Sequence, residues 1–229
     1  MRTRFAAGLG LIGLIAALWV APAASAATAT IGSVAPSSGT GCMSCVYMQW
    51  TGDVSSPSYV VPAVPAGGGA WSVTSWSATG GPGDGSASLE IWRPTGNQDE
   101  FRLIAIGPEQ PFPNGLVTSH PVSIPVLPSD HLGILSGADT DFSPLYLGTP
   151  PGDSWMYPHG NPGVGQTMGT TSGDFSPPST GADARVNAQA TLTSAPAAAT
   201  PVQTKKCKKK KHKRAAESKK KKCKKKRKS

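Results

Sequence analysis

The residues best able to do chemistry are four cysteines, a short run of aromatics and a block of lysines. Cys42-Met-Ser-Cys45 is a C-x-x-C. In a redox protein such a pair opens a helix, whose N-terminus lowers the thiol pKa. Here a strand-like run follows at once, and no strand–helix–strand pattern surrounds it. The spacing predicts a small-loop structural disulfide between Cys42 and Cys45. Zinc would need two more ligands. The remaining cysteines, Cys207 and Cys223, lie among lysines that would repel a dication, so no metal is expected. Those lysines instead favour the thiolate and prepare both thiols for exchange or oxidation.

Trp155, Tyr157 and His159 stand at alternate positions and form the candidate glycan contact, two flat rings on which a sugar could stack. The competing reading is aromatics packed under a long loop. His120 and His131 are scattered. Asp139 and Asp141, near Asp130, offer hard oxygen donors for calcium, but Ser136–Asp141 lacks the full loop signature and reads as a solvated turn. There is no G-x-S-x-G and no H-E-x-x-H. No catalytic residue and no cofactor is expected; a hydrolase with an unrecognised site is the third-ranked reading.

The lysines are segregated. Every one lies between Lys205 and Ser229. Lys205, Lys206, Lys208, Lys209, Lys210, Lys211, Lys213 and Arg214 form a first block. Lys219, Lys220, Lys221, Lys222, Lys224, Lys225, Lys226, Arg227 and Lys228 form a second, after Glu217. The motif KKC recurs with a period of 16 residues. Seventeen cations and one acid give the tail +16, whereas residues 27–204 carry three arginines and 12 acids, a net −9. Like charges repel and nothing apolar is there to bury, so the tail is expected to be disordered and to bind polyanions.

The elements that would carry these groups are legible in outline. Residues 1–26 read as a secretory signal peptide: Arg2 and Arg4, an apolar run from Phe5 to Val20, and Ala24-Ser25-Ala26 as the cleavage site. No second apolar run follows, so the mature chain is expected to have no integral membrane span. Residues 27–193 form one domain, 194–204 an Ala/Pro linker, and 205–229 the tail.

Helical periodicity is almost absent from the domain, and Gly and Pro punctuate it every few residues. Strand patterns are frequent. In Trp71–Ser77, strict alternation sets Trp71 and Val73 against Trp76. In Ser86–Arg93 it sets Ala87, Leu89 and Ile91 against Ser88, Glu90 and Trp92. In Ala184–Leu192 it sets Ala184, Val186, Ala188, Ala190 and Leu192 against the polar positions. Val122–Val126 contains Pro125 and belongs at an edge or a bulge. Residues 148–181 show little strand pattern, with Ser154–Tyr157 as a candidate hidden strand. Many short, closely spaced strands predict an all-β, antiparallel, jelly-roll-like sandwich; the immunoglobulin Cys…Trp…Cys signature is missing.

The order VTSWS, WRP, FPNG, HPVSIPVLPSDHLGIL and RVNAQATL resembles secreted bacterial β-sandwich proteins of uncharacterised function, some of which also end in Lys-rich, Cys-containing tails. Pro-Ser-Asp-His-Leu-Gly at 128–133 is similar to the GD-x-(I/L)-G turn of many extracellular jelly rolls. The resemblance implies the sandwich fold and no particular activity. The expectation is a secreted, non-enzymatic protein, extracellular or bound to the cell envelope. Its partners would be anionic polymers: cell-wall polymers, acidic polysaccharide or extracellular nucleic acid. The second expectation is a lectin-like, carbohydrate-binding jelly roll.

Overall fold

The computed structural model describes residues 26–35, 44–51, 58–140, 142, 144–147, 153–158, 160–170, 179–182 and 184–196. Residues 1–25 of the expected signal peptide, Cys42, Asp141, His159 and the tail lie outside them. The chain divides into two units, Met1–Ala198 and Ala199–Ser229, and the described residues all belong to the first.

The described residues form strands and no helix: β1 (Thr28–Ser33), β2 (Val46–Thr51), β3 (Gly68–Thr79), β4 (Gly85–Pro94), β5 (Glu100–Ile106), β6 (Gln110–Phe112), β7 (Val117–Val126), β8 (His131–Thr140), β9 (Leu145–Leu147), β10 (Ser154–Tyr157), β11 (Thr167–Gly169), β12 (Ser179–Ala182), β13 (Ala184–Val186) and β14 (Ala188–Pro196). None is a helix long and apolar enough to cross a membrane.

Eight of the strands behave as one antiparallel ribbon folded in half. β1 pairs with β14, β2 with β8, β3 with β7 and β4 with β5. Winding that ribbon brings β14 beside β3 and β8 beside β4. One sheet then runs β1-β14-β3-β7, and the other contains β5-β4-β8-β2. This is jelly-roll connectivity. β11 extends the second sheet beyond β5, and β10 and β12 extend it beyond β2. β14 continues through Ser194, Ala195 and Pro196, three residues into the segment read as linker.

The core lies between the sheets. Val73, Trp76, Ala190 and Leu192 from one sheet meet Leu89, Ile91, Leu132 and Ile134 from the other, all buried. Full burial of each large apolar side chain contributes about 1.5–3 kcal/mol. Trp76 corrects the strict alternation expected of its strand. Trp71, Val73 and Trp76 all point into this core. The register of β3 shifts between Val73 and Ser75 against both neighbours. Thr74 is the extra residue opposite β14, and a β-bulge of this kind reverses the phase of every side chain after it. The proline-bearing β7 is both an edge strand and the partner across this irregularity.

The region 148–181 is richer in strand than its composition suggests. It holds β10, at the expected Ser154–Tyr157, and also β11 and the start of β12. These strands are short; β11 and β12 sit at the two edges of the larger sheet, and β10 lies between β2 and β12. β9 and β13 form a separate two-stranded sheet. There Arg185 Nε donates to Asp153 Oδ2 at 2.7 Å, with side chains 6% and 1% exposed. Gln49 bridges the same region: its Nε2 donates to Ser154 O, and its Oε1 accepts from Val186 N.

Candidate functional site

The β4–β5 hairpin builds the most distinctive cleft. Gly96 (φ 94°) and Asp99 (φ 53°) turn the chain through the left-handed region. Thr95 N donates to Glu100 O, which closes the turn. Inside it, Thr95 Oγ1 and Asn97 Nδ2 both donate to Glu100 Oε1, at 2.5 and 2.9 Å. Glu100 is thereby held at the head of β5. Two residues on, Arg102 of β5 stands opposite Arg93 of β4, and Thr167 of β11 stands opposite Arg102. Arg93, Thr95, Glu100, Arg102 and Thr167 line a cleft of about 360 Å³.

Arg93 is fixed in orientation. Its Nε and Nη2 donate to Asp130 Oδ1 and Oδ2 at 2.7 and 2.8 Å. Hydrogen bonding to Asp130 pushes this guanidinium above its ordinary value. Asp130 is itself locked, because Oδ2 also accepts from Leu127 N. The Pro128–Gly133 turn thus spends its aspartate on an arginine, and among the described residues no group of three His, Cys, Asp or Glu could hold a metal ion.

A second depression, about 420 Å³, adjoins the first through Arg93. Ile104 and Ala105 of β5 form one wall, and Ile124, Pro125, Val126 and Leu127 the other. It runs between the edge strand of one sheet and β5 of the other. Both depressions fall in the size range of small-ligand sites. Together they present guanidinium donors, a carboxylate and hydroxyls beside an apolar wall. That is binding chemistry.

The expected glycan contact has a different setting. Trp155 and Tyr157 share one face of β10 and stack on each other at 5.2 Å and 24°. Tyr47 of β2, which sequence reasoning missed, packs against both, at 5.5 and 6.1 Å. Tyr47 is buried in the main core and Trp155 and Tyr157 are half-buried against it, so much of their stacking area is already used. His120 and His131 have separate settings. His120 packs on Phe112 and donates to Pro111 O, whereas His131 packs on Phe101 and lies 3.1 Å from Gln49 O. Cys45 stands just before β2, where its N–H donates to Ser136 Oγ.

One buried acid was not singled out in sequence. The larger sheet carries a second buried cluster on its outer face, formed by Val46, Met48, Trp92, Phe101, Leu103, Met156 and Met168. Glu90 is fully buried. Its Oε2 accepts from Trp92 Nε1 at 2.9 Å, and its Oε1 has no partner among the described residues. Burial pushes the carboxyl up to about 8 against the opposing Trp92 bond. The signal available in sequence was a carboxylate sharing a strand face with Trp92.

Comparison with protein-family models, with curated proteins and with solved structures finds no match for this chain, so the fold and the cleft stand on the geometry alone.

Proposed function

We propose that this is a secreted jelly-roll protein held on anionic polymers by its basic C-terminal tail. The observation that carries the reading is charge segregation: 17 of the 22 cationic side chains lie in the last 25 residues, beyond a domain that is net acidic. Strands β1 to β14 build the sandwich between Thr28 and Pro196, and its buried core residues lie between Ile31 and Leu192 among the described residues. Lysine is a hydrated point charge on a flexible stem, suited to non-specific polyanion contact. The N-terminal signal-peptide pattern supports export to cell wall or medium. Export to an oxidising compartment also suits a Cys42–Cys45 disulfide, and the disulfide-bonded state of Cys45 supports that pairing.

Retention on immobilised heparin and on DNA tests the reading. The full-length chain should bind at low salt and elute at moderate salt. Deletion of Lys205–Ser229 should abolish retention. On DNA, engagement of about half the cations gives a log–log salt slope of roughly −7 to −8. Passage of the full-length chain through either column at low salt overturns the reading. A second reading, carbohydrate binding by the sandwich, is favoured by the Arg93 cleft and its apolar extension.

A further inference from the structure

We propose that the Arg93–Arg102 cleft binds the carboxylate of an acidic saccharide, with an apolar face of the sugar laid against Ile104, Ala105 and Leu127; this rests on the carbohydrate-binding reading. Only three arginines serve residues 27–204, and two of them face each other across β4 and β5. Like charges directly opposite on paired strands are destabilising, and an anion between them removes that penalty. Asp130 engages Nε and Nη2 of Arg93, which fixes the guanidinium plane and leaves Nη1 without a partner among the described residues. Arg102 is exposed and has no hydrogen bond or ion pair among the described residues. A carboxylate can therefore bridge Nη1 of Arg93 and the fork of Arg102 through charge-assisted bonds.

Glu100 selects within the class of anions. It lies in the same cleft, held by Thr95 and Asn97. A compact dianion such as phosphate meets its repulsion, whereas the hydroxyls of a sugar can donate to it. The adjoining apolar wall receives the C–H face of a pyranose, which phosphate cannot use.

The test is residue-resolved NMR on the full-length protein, titrated separately with sodium glucuronate, glucose and inorganic phosphate at constant ionic strength. Glucuronate should give saturable shifts at the amides of Arg93, Thr95, Glu100, Arg102 and Thr167. Glucose and phosphate should bind there at least about tenfold more weakly, the loss of one charge-assisted contact. R102Q should weaken glucuronate about tenfold with the remaining spectrum unchanged. R102K, which keeps charge but loses the fork, should fall between them. Glucuronate shifts confined to the tail, phosphate binding as tight as glucuronate, or indifference to both Arg102 variants overturns the proposal. Saturable glucose binding elsewhere on the sandwich would keep the carbohydrate reading and remove this site. Neither result bears on retention by the tail.

Discussion

Two arginine–aspartate pairs in this molecule share their chemistry and differ in setting. Arg185–Asp153 is closed, with both side chains at or below 6% exposure. Arg93–Asp130 has an equally buried aspartate, but its arginine is 34% exposed and lines a cleft. Desolvation sets the difference. Two charges withdrawn from water must satisfy each other, and removal of either leaves an uncompensated charge. An arginine at the rim keeps water on one side, so its unused N–H groups remain available to a ligand. The closed pair joins strands, and the open pair orients a donor. Glu90 sharpens the contrast: it is buried as deeply as Asp153 and, among the described residues, its carboxylate meets only an indole N–H.

The largest effect belongs to that unpaired acid. Its unfolded-state pKa is near 4.5 and its folded-state value about 8. Below pH 4.5 both states are protonated and the contribution of Glu90 to stability is fully present. As pH rises, the unfolded chain releases its proton first, so stability is lost progressively until pH passes 8. The loss is on the order of 5 kcal/mol. Urea midpoints at pH 5 and pH 8.5 should converge in E90Q and diverge in wild type. Equal pH dependence in the two would remove Glu90 from the comparison.

The closed pair comes next. Asp153→Asn leaves Arg185 buried without its counter-charge and should cost about 3–5 kcal/mol, read as a drop in the urea midpoint. Replacing both partners with apolar residues, R185M with D153L, should recover most of that loss. If the double variant is no better than the single, the pair is not what holds β13 in place.

A smaller effect should follow at Gly133. A Cβ there would sit 3.0 Å from Trp92 Cδ1 and Nε1 and 3.0 Å from Tyr47 O. The Trp92 indole crosses β8 over this glycine. G133A should cost about 1–3 kcal/mol and weaken the Trp92–Glu90 hydrogen bond, which lowers the Glu90 pKa, so the stability difference between pH 5 and pH 8.5 should grow. An unchanged Tm would show that the indole has room to move.

The smallest loss is expected at the open pair. Asp130→Ala removes hydrogen bonds to Arg93 and Leu127, yet Arg93 can rehydrate, so about 1–2 kcal/mol is expected. A loss as large as that of Asp153→Asn would erase the distinction between the pairs.

Much of the sandwich was legible because strand periodicity is a local property. The alternation in Ser86–Arg93 and Ala184–Leu192 assigned core faces that the structure keeps, with Leu89, Ile91, Ala188 and Leu192 all buried. Pro125 marked an edge, because a residue without an N–H cannot sit in a ladder that needs it on both sides. The candidate cleft was not legible. Arg93 and Arg102 become neighbours through hairpin register, and Arg93 meets Asp130 from 37 residues away. Trp155 and Tyr157 were marked as one surface, and Tyr47, from a distant strand, completes their cluster.

By itself, then, the chain determined its fold class, the inward positions of β4 and β14 and the separation of its charge, since each follows from residues adjacent in sequence. Tertiary structure decided the rest. The bulge at Thr74 exists only against paired neighbours, and it turned Trp76 inward. Glu90 became a buried acid because side chains from five strands cover the outer face of its sheet. Long-range pairing selects which charges lose their water, and the loss of water separates a structural ion pair from one that still presents a free donor to a ligand.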